Sequence, residues 1–334
     1  MKTWLFSGAL VIGFSLISCL AKAKIRVGVS PVMSSIGVYI ADSEGYFKEQ
    51  GLNVEIIDFA NSGAPMTLLL AKNELEVGAG NLTAGLFNAI AQGNGIKLVA
   101  DKGHVEAERD YLALVVRSDH LKSGRYRDYG NLRGFKLGLT ALDGVSQQIA
   151  AERFLVKGGL GEKDVEFVKL SYAEMNAALK SKSIDAAIQL EPFVTLAEVG
   201  GFAKRVQGVA KVHPNQQSAA VLYSPQFAAK KEEAVKFMVA YLKGVRLYNQ
   251  SLKDDVLRKI LFRTVGKKLK ISDESAWNRM VPVGLREDGR LSIDALQEDL
   301  EWYRRKGFLK SDLQAKNIVD HTFVDEAVKR LNEK

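Results

Sequence analysis

The chain has 334 residues, a formal net charge of +8 and 47% hydrophobic residues. This is the composition of a globular protein long enough for two domains, each with its own core. Basic residues alternate with acidic ones and accompany no DNA- or RNA-binding motif. The charge therefore indicates a solvated basic surface, and nucleic acid is excluded as a partner.

Residues 1–23 have the pattern of a secretory signal peptide. Lys2 precedes an uncharged apolar run, Trp4–Leu20, and Ala21-Lys22-Ala23 fits a cleavage site of small residues. Leu16-Ile17-Ser18-Cys19 also fits the lipobox of bacterial lipoproteins, in which Cys19 carries the lipid. Both possibilities stay open. Since Cys19 is the single cysteine, neither mature form has a disulfide, and we expect a periplasmic or extracytoplasmic protein, soluble or lipid-anchored at Cys19.

Strands and helices alternate from Lys24 to Val116, which predicts an α/β lobe with a mostly parallel sheet. The helices between the strands begin at residues that favour a helix N-terminus, such as Ser34 or Ser35 for the first and Pro65 for the second. The predicted strands of this lobe are Lys24–Ser30, Leu52–Phe59, Leu75–Gly80, Ile96–Asp101 and Tyr111–Val116.

A second run of the same strand and helix order follows. Gly28 corresponds to Gly138, Val54 to Val165 and Leu75 to Ile184, at a nearly constant offset of about 110 residues. The shared offset predicts two similar lobes. The predicted strands of the second lobe are Phe135–Leu139, Val165–Leu170, Ile184–Leu190 and Arg205–Val212.

The apolar runs Tyr111–Val116 and Ser218–Tyr223 are predicted to be the two strands that cross between the lobes. The first lobe is then residues 24–117 with 214–334, and the second is residues 118–213. After Arg246 the pattern is helical and has no counterpart in the repeat, so we expect a C-terminal extension that packs on the first lobe.

No catalytic constellation is recognisable. The chain has no nucleophile elbow and no P-loop. Its four histidines, His104, His120, His213 and His321, do not have the spacing of metal ligands. We therefore expect a protein that is not an enzyme and that carries no cofactor or metal.

Five polar loops at strand ends are predicted to line one cleft between the lobes: Ser30–Ser35, Asn61–Ala64, Gly80–Thr83, Thr140–Ser146 and Glu191–Phe193. Backbone N–H groups of the second and fourth loops suit the acceptor end of a solute, and Glu191 or Asn81 suits its donor end. Tyr39 or Phe193 could stack on a ring. Alternatively, Glu191 stabilises only its own helix N-terminus.

The candidate ligand-binding residues are Ser30, Ser35, Tyr39, Ser62, Gly63, Asn81, Thr83, Thr140, Asp143, Gly144, Val145, Ser146, Glu191 and Phe193.

Several segments carry a family resemblance: IRVGVSP, GYFKEQGLNVEI, GAGNLTAGLFNA, NLRGFKLGLTALDGVS and SIDAAIQLEPF. With them the chain resembles the periplasmic substrate-binding proteins of ABC importers, in the group that binds nitrate, sulfonates, taurine or pyrimidine precursors of thiamine. The resemblance implies a type II, two-lobed α/β fold with two crossing strands as the hinge and a helical C-terminal extension. It also implies capture of a small solute by a monomer, for delivery to an ABC permease.

The resemblance leaves the solute open. Sulfonate binders tend to have an aromatic residue before the proline of the cleft, whereas this chain has Leu190-Glu191 before Pro192. This departure favours a solute with hydrogen-bond donors, such as an aminopyrimidine. Two other functions remain: a pyrimidine-forming or lyase-type enzyme of the same fold, and a ligand sensor that docks on a membrane receptor.

Overall fold

The structure is a computed structural model that describes residues 23–60 and 63–333. The predicted signal peptide, Cys19 and Ser62 lie outside these residues. Within them, no helix is both long and apolar enough to cross a membrane. The strands are β1 (Lys24–Val29), β2 (Asn53–Asp58), β3 (Val77–Asn81), β4 (Lys97–His104), β5 (Leu112–Arg117), β6 (Lys136–Leu139), β7 (Glu166–Lys169), β8 (Ala186–Leu190), β9 (Ala203–Gly208) and β10 (Gln217–Tyr223).

The α-helices of the described chain surround two sheets and form the extension after the second crossing. They are α1 (Ile36–Ser43), α2 (Tyr46–Glu49), α3 (Ala64–Ala71), α4 (Ala84–Ala91), α5 (Ser118–Ser123), α6 (Ser146–Lys157), α7 (Tyr172–Lys180), α8 (Phe193–Val199), α9 (Pro225–Ala229), α10 (Lys231–Ser251), α11 (Asp255–Val265), α12 (Glu274–Arg279), α13 (Ile293–Arg305), α14 (Ala315–Ile318) and α15 (Thr322–Asn332).

The two sheets have the same strand order. The first runs β2-β1-β3-β10-β4 and the second β7-β6-β8-β5-β9, each with five strands. In each sheet the three strands that begin the lobe are parallel. A fourth, β10 or β5, lies antiparallel to its neighbours. The structure therefore has the predicted two-lobed α/β architecture, with one sheet in each lobe.

The crossings lie next to the predicted strands and not within them. Among the strands of the described residues, β5 pairs only with β8 and β9, and β10 only with β3 and β4. Every residue of β5 and of β10 is buried. Their apolar runs thus reflect strands with a neighbouring strand on each side. The chain crosses between the lobes at residues 105–111 and 209–216. Residues 112–117, which the predicted boundary assigns to the first lobe, pair in the second sheet.

The C-terminal extension packs mainly on the first lobe. α10 contacts α1, and α15 contacts both α10 and β4. Two helices of the extension also reach the second lobe, since α12 contacts α8 and α13 contacts α6. The extension therefore spans the junction between the lobes.

One buried cation stands out in the first lobe. Lys102, in β4, has no exposed surface, and its ammonium group donates to the Ser34 hydroxyl at 2.9 Å. No carboxylate pairs with it in the described residues. Burial lowers the pKa of Lys102 to about 7, because an unpaired charge is poorly solvated inside a protein.

Replacing Lys102 with methionine is expected to raise the free energy of unfolding at pH 7 by about 1–3 kcal/mol, since it removes a buried charge and keeps the side-chain volume. Between pH 7 and the ordinary lysine pKa of 10.5, the unfolded wild type binds a proton that the folded wild type does not. The free energy of unfolding of the wild type therefore rises with pH across this window. The advantage of Lys102→Met over the wild type should shrink accordingly toward pH 10. Urea unfolding at several pH values measures this difference between variant and wild type. The control is the same substitution at Lys97, which is partly exposed. An equal gain at every pH would contradict this account.

Candidate functional site

A cavity of about 290 Å³ lies between the lobes and is lined by both. The first lobe contributes the loops before α3 and α4, and the second lobe contributes the loop between β6 and α6 and the end of β7. All four segments lie at the carboxyl ends of strands, where open parallel sheets bind ligands. The lining residues are Gly63, Ala64, Pro65, Asn81, Thr83, Gly85, Thr140, Ala141, Asp143, Val145 and Lys169.

Three helices begin at this cavity. Gly63, Thr83 and Val145 are the N-cap residues of α3, α4 and α6, and all three line it. The Thr83 hydroxyl accepts the Leu86 N–H at 3.1 Å. Within the described residues, the first-turn N–H groups of Ser146 and Gln147 have no acceptor. Since free N–H groups and helix dipoles place partial positive charge at helix N-termini, the cavity favours an anion.

Lys169 adds a full positive charge to this cavity. It is the last residue of β7, its side chain is exposed, and it has no ion-pair partner in the part of the chain that the structure describes. Sequence reasoning missed it. The repeat offered a signal, because Lys169 pairs with Leu139 at the end of β6 as Asp58 pairs with Val29 at the end of β1. Asp143, which was predicted, is the acidic residue of the lining and is exposed.

The loop between β6 and α6 is fixed by the first turn of its own helix. Thr140 donates both its N–H and its hydroxyl to the Gln147 side-chain carbonyl. The Gln147 amide in turn donates to the Ile188 carbonyl at 2.7 Å. The Gly144 N–H donates to the Gln148 side chain at 3.2 Å. These contacts preorganise the loop, so that binding a solute here needs little reordering.

The lobes touch at the mouth of the cavity. The Ala84 N–H donates to the Gly144 carbonyl at 2.9 Å, and Thr83 forms an antiparallel bridge with Val145. The Asn81 side-chain amide donates to the Tyr172 hydroxyl at 3.0 Å. These residue pairs join the first lobe to the second, so the structure is a closed arrangement of the lobes.

Glu191 lies outside this lining. It is 1% exposed, and its carboxylate accepts from the Thr195 N–H at 3.0 Å and from the Arg205 guanidinium at 3.1 Å. Burial raises the pKa of the Glu191 carboxyl, and Arg205 and the N–H donors oppose that rise. Its hydrogen bonds are made within the protein and include one from the first turn of α8, and a contact with a solute donor stays a prediction.

Four other predicted residues lie outside the cavity lining: Tyr39, Ser30 and Ser35 are buried, and Phe193 is half-buried. Tyr39 is 1% exposed and donates to the Asp58 carboxylate at 2.8 Å, so its ring belongs to the core. Phe193 stacks on Tyr172 with ring centroids 5.9 Å apart. The buried hydroxyls of Ser30 and Ser35 have no hydrogen-bond partner within the described residues.

The remaining predicted residues divide between the lining and its support. Gly144, in the loop between β6 and α6, and Ser146, the first residue of α6, are buried and are not part of the lining. The Ser146 carbonyl accepts from the Gln216 side-chain amide at 3.0 Å. The predicted residues that line the cavity are Gly63, Asn81, Thr83, Thr140, Asp143 and Val145.

Comparison with known proteins gives three consistent results. Residues 20–252 match the NMT1-like family. The chain is 25% identical over 246 residues, 69% of each chain, to a Brachyspira hyodysenteriae protein assigned by name to the ABC transporter periplasmic binding proteins.

Two solved structures share the fold. The nitrate-binding protein NrtA of Synechocystis is 12% identical, with a TM-score of 0.74 over 93% of this chain and 89% of that one. The alkanesulfonate-binding protein SsuA of Xanthomonas axonopodis, bound to MOPS, is 17% identical, with a TM-score of 0.70 over 90% of this chain and 99% of that one. These likenesses show the two-lobed fold of the type II periplasmic binding proteins.

Proposed function

The chain belongs to the NMT1-like family, and on that premise we propose that it is an extracytoplasmic solute-binding protein that delivers a small organic anion to an ABC importer. The solute occupies the cavity between the lobes. A relative of similar length is named as a periplasmic binding protein of an ABC transporter, which supports the import role over a sensor. No histidine or cysteine of the described chain lines the cavity, which favours binding over catalysis.

One observation carries the proposal of an anionic solute: three helix N-caps and the unpaired Lys169 line the same cavity. Helix N-termini bind sulfonate, phosphate and carboxylate groups through free N–H groups. A flexible lysine adds a point charge without demanding one geometry. Lys169 and the three helix N-termini can therefore neutralise a sulfonate or carboxylate group that is bound in this cavity.

The partners of Glu191 weaken the argument for an aminopyrimidine. That argument required a free carboxylate in the cleft, whereas the Glu191 carboxylate is occupied by Arg205 and by two N–H donors. In addition, no aromatic side chain is part of the described lining on which a pyrimidine ring could stack. Asp143 leaves a place for a cationic group, so an aminosulfonate such as taurine fits the charges of the lining.

We expect a thermal-shift screen of the purified chain to give hits among small sulfonates, with taurine and ethanesulfonate ahead of nitrate and an aminopyrimidine. A ligand that binds only the folded state raises the free energy of unfolding by about 2.7 kcal/mol at a hundredfold excess over its Kd. Isothermal titration calorimetry then gives Kd for each hit. Stabilisation by the aminopyrimidine with no response to any anion would overturn the proposed solute class.

A further inference from the structure

Glu191 is fixed firmly to the second lobe. It lies between β8 and α8, where its carboxylate Oε2 accepts the Thr195 N–H and its Oε1 accepts the Arg205 guanidinium. Its own N–H donates to the Tyr111 carbonyl at 3.1 Å. A charged side chain with donors on both oxygens has one favoured position, because any other rotamer leaves buried donors unpaired.

Two further contacts of Glu191 leave the second lobe. Oε1 also accepts the Val281 N–H at 3.3 Å, in the segment between α12 and α13. The Glu191 carbonyl accepts the Met33 N–H at 3.1 Å, in the loop after β1. Its partner Arg205 donates to the carbonyl of Asp110 at 2.7 Å, in the crossing at 105–111. The Glu191 carboxylate thus contacts the extension, its backbone carbonyl contacts the first lobe, and its partner Arg205 contacts a crossing.

These contacts join the second lobe to the first lobe and to the extension. We expect opening of the cleft to separate the Met33 N–H from the Glu191 carbonyl and the Val281 N–H from Oε1, and to expose the ion pair to water. In the closed arrangement, both carboxylate oxygens have donors and almost no solvent reaches them. A buried carboxylate is tolerated only with its full set of partners, so the residues around Glu191 favour closure as a unit.

We propose that Glu191 is a positioning residue for solute capture, whose carboxylate holds the two lobes closed without touching the solute. This inference rests on the proposed function, because the closure concerns the same cavity. Glu191 then controls the population of the closed state and does not contact the solute. Removing its charge then weakens binding through the closed population, not through a lost contact with the solute.

The chain offers a variant and a matched control. Glutamine has the size of glutamate but only one acceptor oxygen. In Glu191→Gln the amide NH₂ must therefore face either the Thr195 N–H or the donors from Arg205 and Val281, and that contact is lost. Glu198 also contacts Arg205, since its carboxylate accepts the Arg205 backbone N–H at 3.1 Å. Among the described residues, Glu198 makes no hydrogen bond or ion pair with the first lobe or the extension. Glu198→Gln therefore makes the same chemical change without affecting the contacts between lobes.

The experiment measures the distance between the lobes. In a Cys19→Ser background the chain has no other cysteine, so spin labels can be placed on Lys72→Cys in the first lobe and Lys163→Cys in the second. Double electron–electron resonance is recorded with and without ethanesulfonate, together with Kd and Tm. For Glu191→Gln we expect fewer closed molecules in both conditions and a Kd raised about 5- to 20-fold. Glu198→Gln should match the wild type.

The outcomes separate this inference from the proposed function. If ethanesulfonate fails to close the wild type, the proposed solute class fails, and the unliganded distances still test Glu191. Identical distance distributions for the wild type and Glu191→Gln in both conditions overturn the inference. Since Glu191→Gln could also lower Tm, Val281→Pro serves as a second variant, because it removes the N–H donor of the extension and leaves the Glu191 carboxylate and its partner Arg205 in place. Unchanged closure in both variants overturns the inference as well.

Discussion

Replacing Gly144 with alanine is expected to weaken solute binding roughly 10- to 100-fold by preventing full closure of the lobes. A Cβ atom at Gly144 would lie 2.6 Å from the Ala84 Cβ and 3.2 Å from the Phe308 Cβ. Ala84 and Phe308 lie across the mouth of the cavity from Gly144. Non-bonded carbon atoms need about 3.5–4.0 Å, so the added methyl group must push the lobes apart. Calorimetry against ethanesulfonate measures the loss.

Two variants separate this steric effect from backbone strain. Gly144 has φ +95°, which alanine also disfavours. Gly134 has φ +74° with nothing within 4 Å of an added Cβ, so Gly134→Ala carries similar strain in the same lobe and should lower Tm while Kd stays unchanged. Adding Ala84→Gly to Gly144→Ala removes the nearer obstacle and should restore most of the affinity. Equal Kd values for Gly144→Ala and the wild type would show that this contact does not control closure.

The repeat of the two lobes could be predicted because the same packing recurs at the same spacing. A Cβ at Gly28 would lie 2.8 Å from Leu75 and 3.2 Å from Met66. At Gly138 it would lie 2.9 Å from Ile184 and 3.2 Å from Met175. Each glycine thus makes room for an apolar side chain that covers its strand. Such local constraints leave a trace in the sequence, which is why Gly28 and Gly138 could be matched from pattern alone.

Most loops of the cavity and its acidic residue Asp143 could be predicted from the sequence, whereas its lysine could not. Loops at strand ends follow from the alternation of strands and helices, so Thr83, Thr140 and Val145 were predictable. Lys169 ends a strand among many exposed lysines, and nothing in its sequence neighbours distinguishes it. Its place in the lining depends on how the second lobe faces the first, which is a long-range property.

The partners of Glu191 could not be predicted from the sequence for the same physical reason. From sequence, a carboxylate before Pro192 at a strand end can either accept hydrogen bonds from a solute in the cleft or stabilise its own helix N-terminus. Its partners are Arg205, 14 residues away, and Val281, 90 residues away. Only the pairing of β5 with both β8 and β9 brings Arg205 beside Glu191. A buried ion pair between distant segments has no periodicity, so hydrophobic patterning cannot reveal it.

Replacing Lys169 with methionine is expected to raise the Kd for ethanesulfonate about 5- to 30-fold. A charge-assisted hydrogen bond contributes about 1.5–3 kcal/mol when buried, whereas an exposed ion pair contributes about 0.2–1 kcal/mol. Lys169 is exposed and would be partly covered by a solute in the cavity, so the effect should lie between these limits. Lys169→Arg keeps the charge and should stay close to the wild type.

The dependence of Kd on salt distinguishes a direct charge contact from a change in fold. Because ions screen an exposed charge, binding by the wild type should weaken as ionic strength rises, and binding by Lys169→Met should weaken less. Lys180, exposed at the end of α7 in the same lobe and outside the lining, gives the control. Lys180→Met makes the same change in net charge and should leave Kd nearly unchanged. If both lysine variants weaken binding equally, the net charge of the protein attracts the anion, and Lys169 has no specific part in the site.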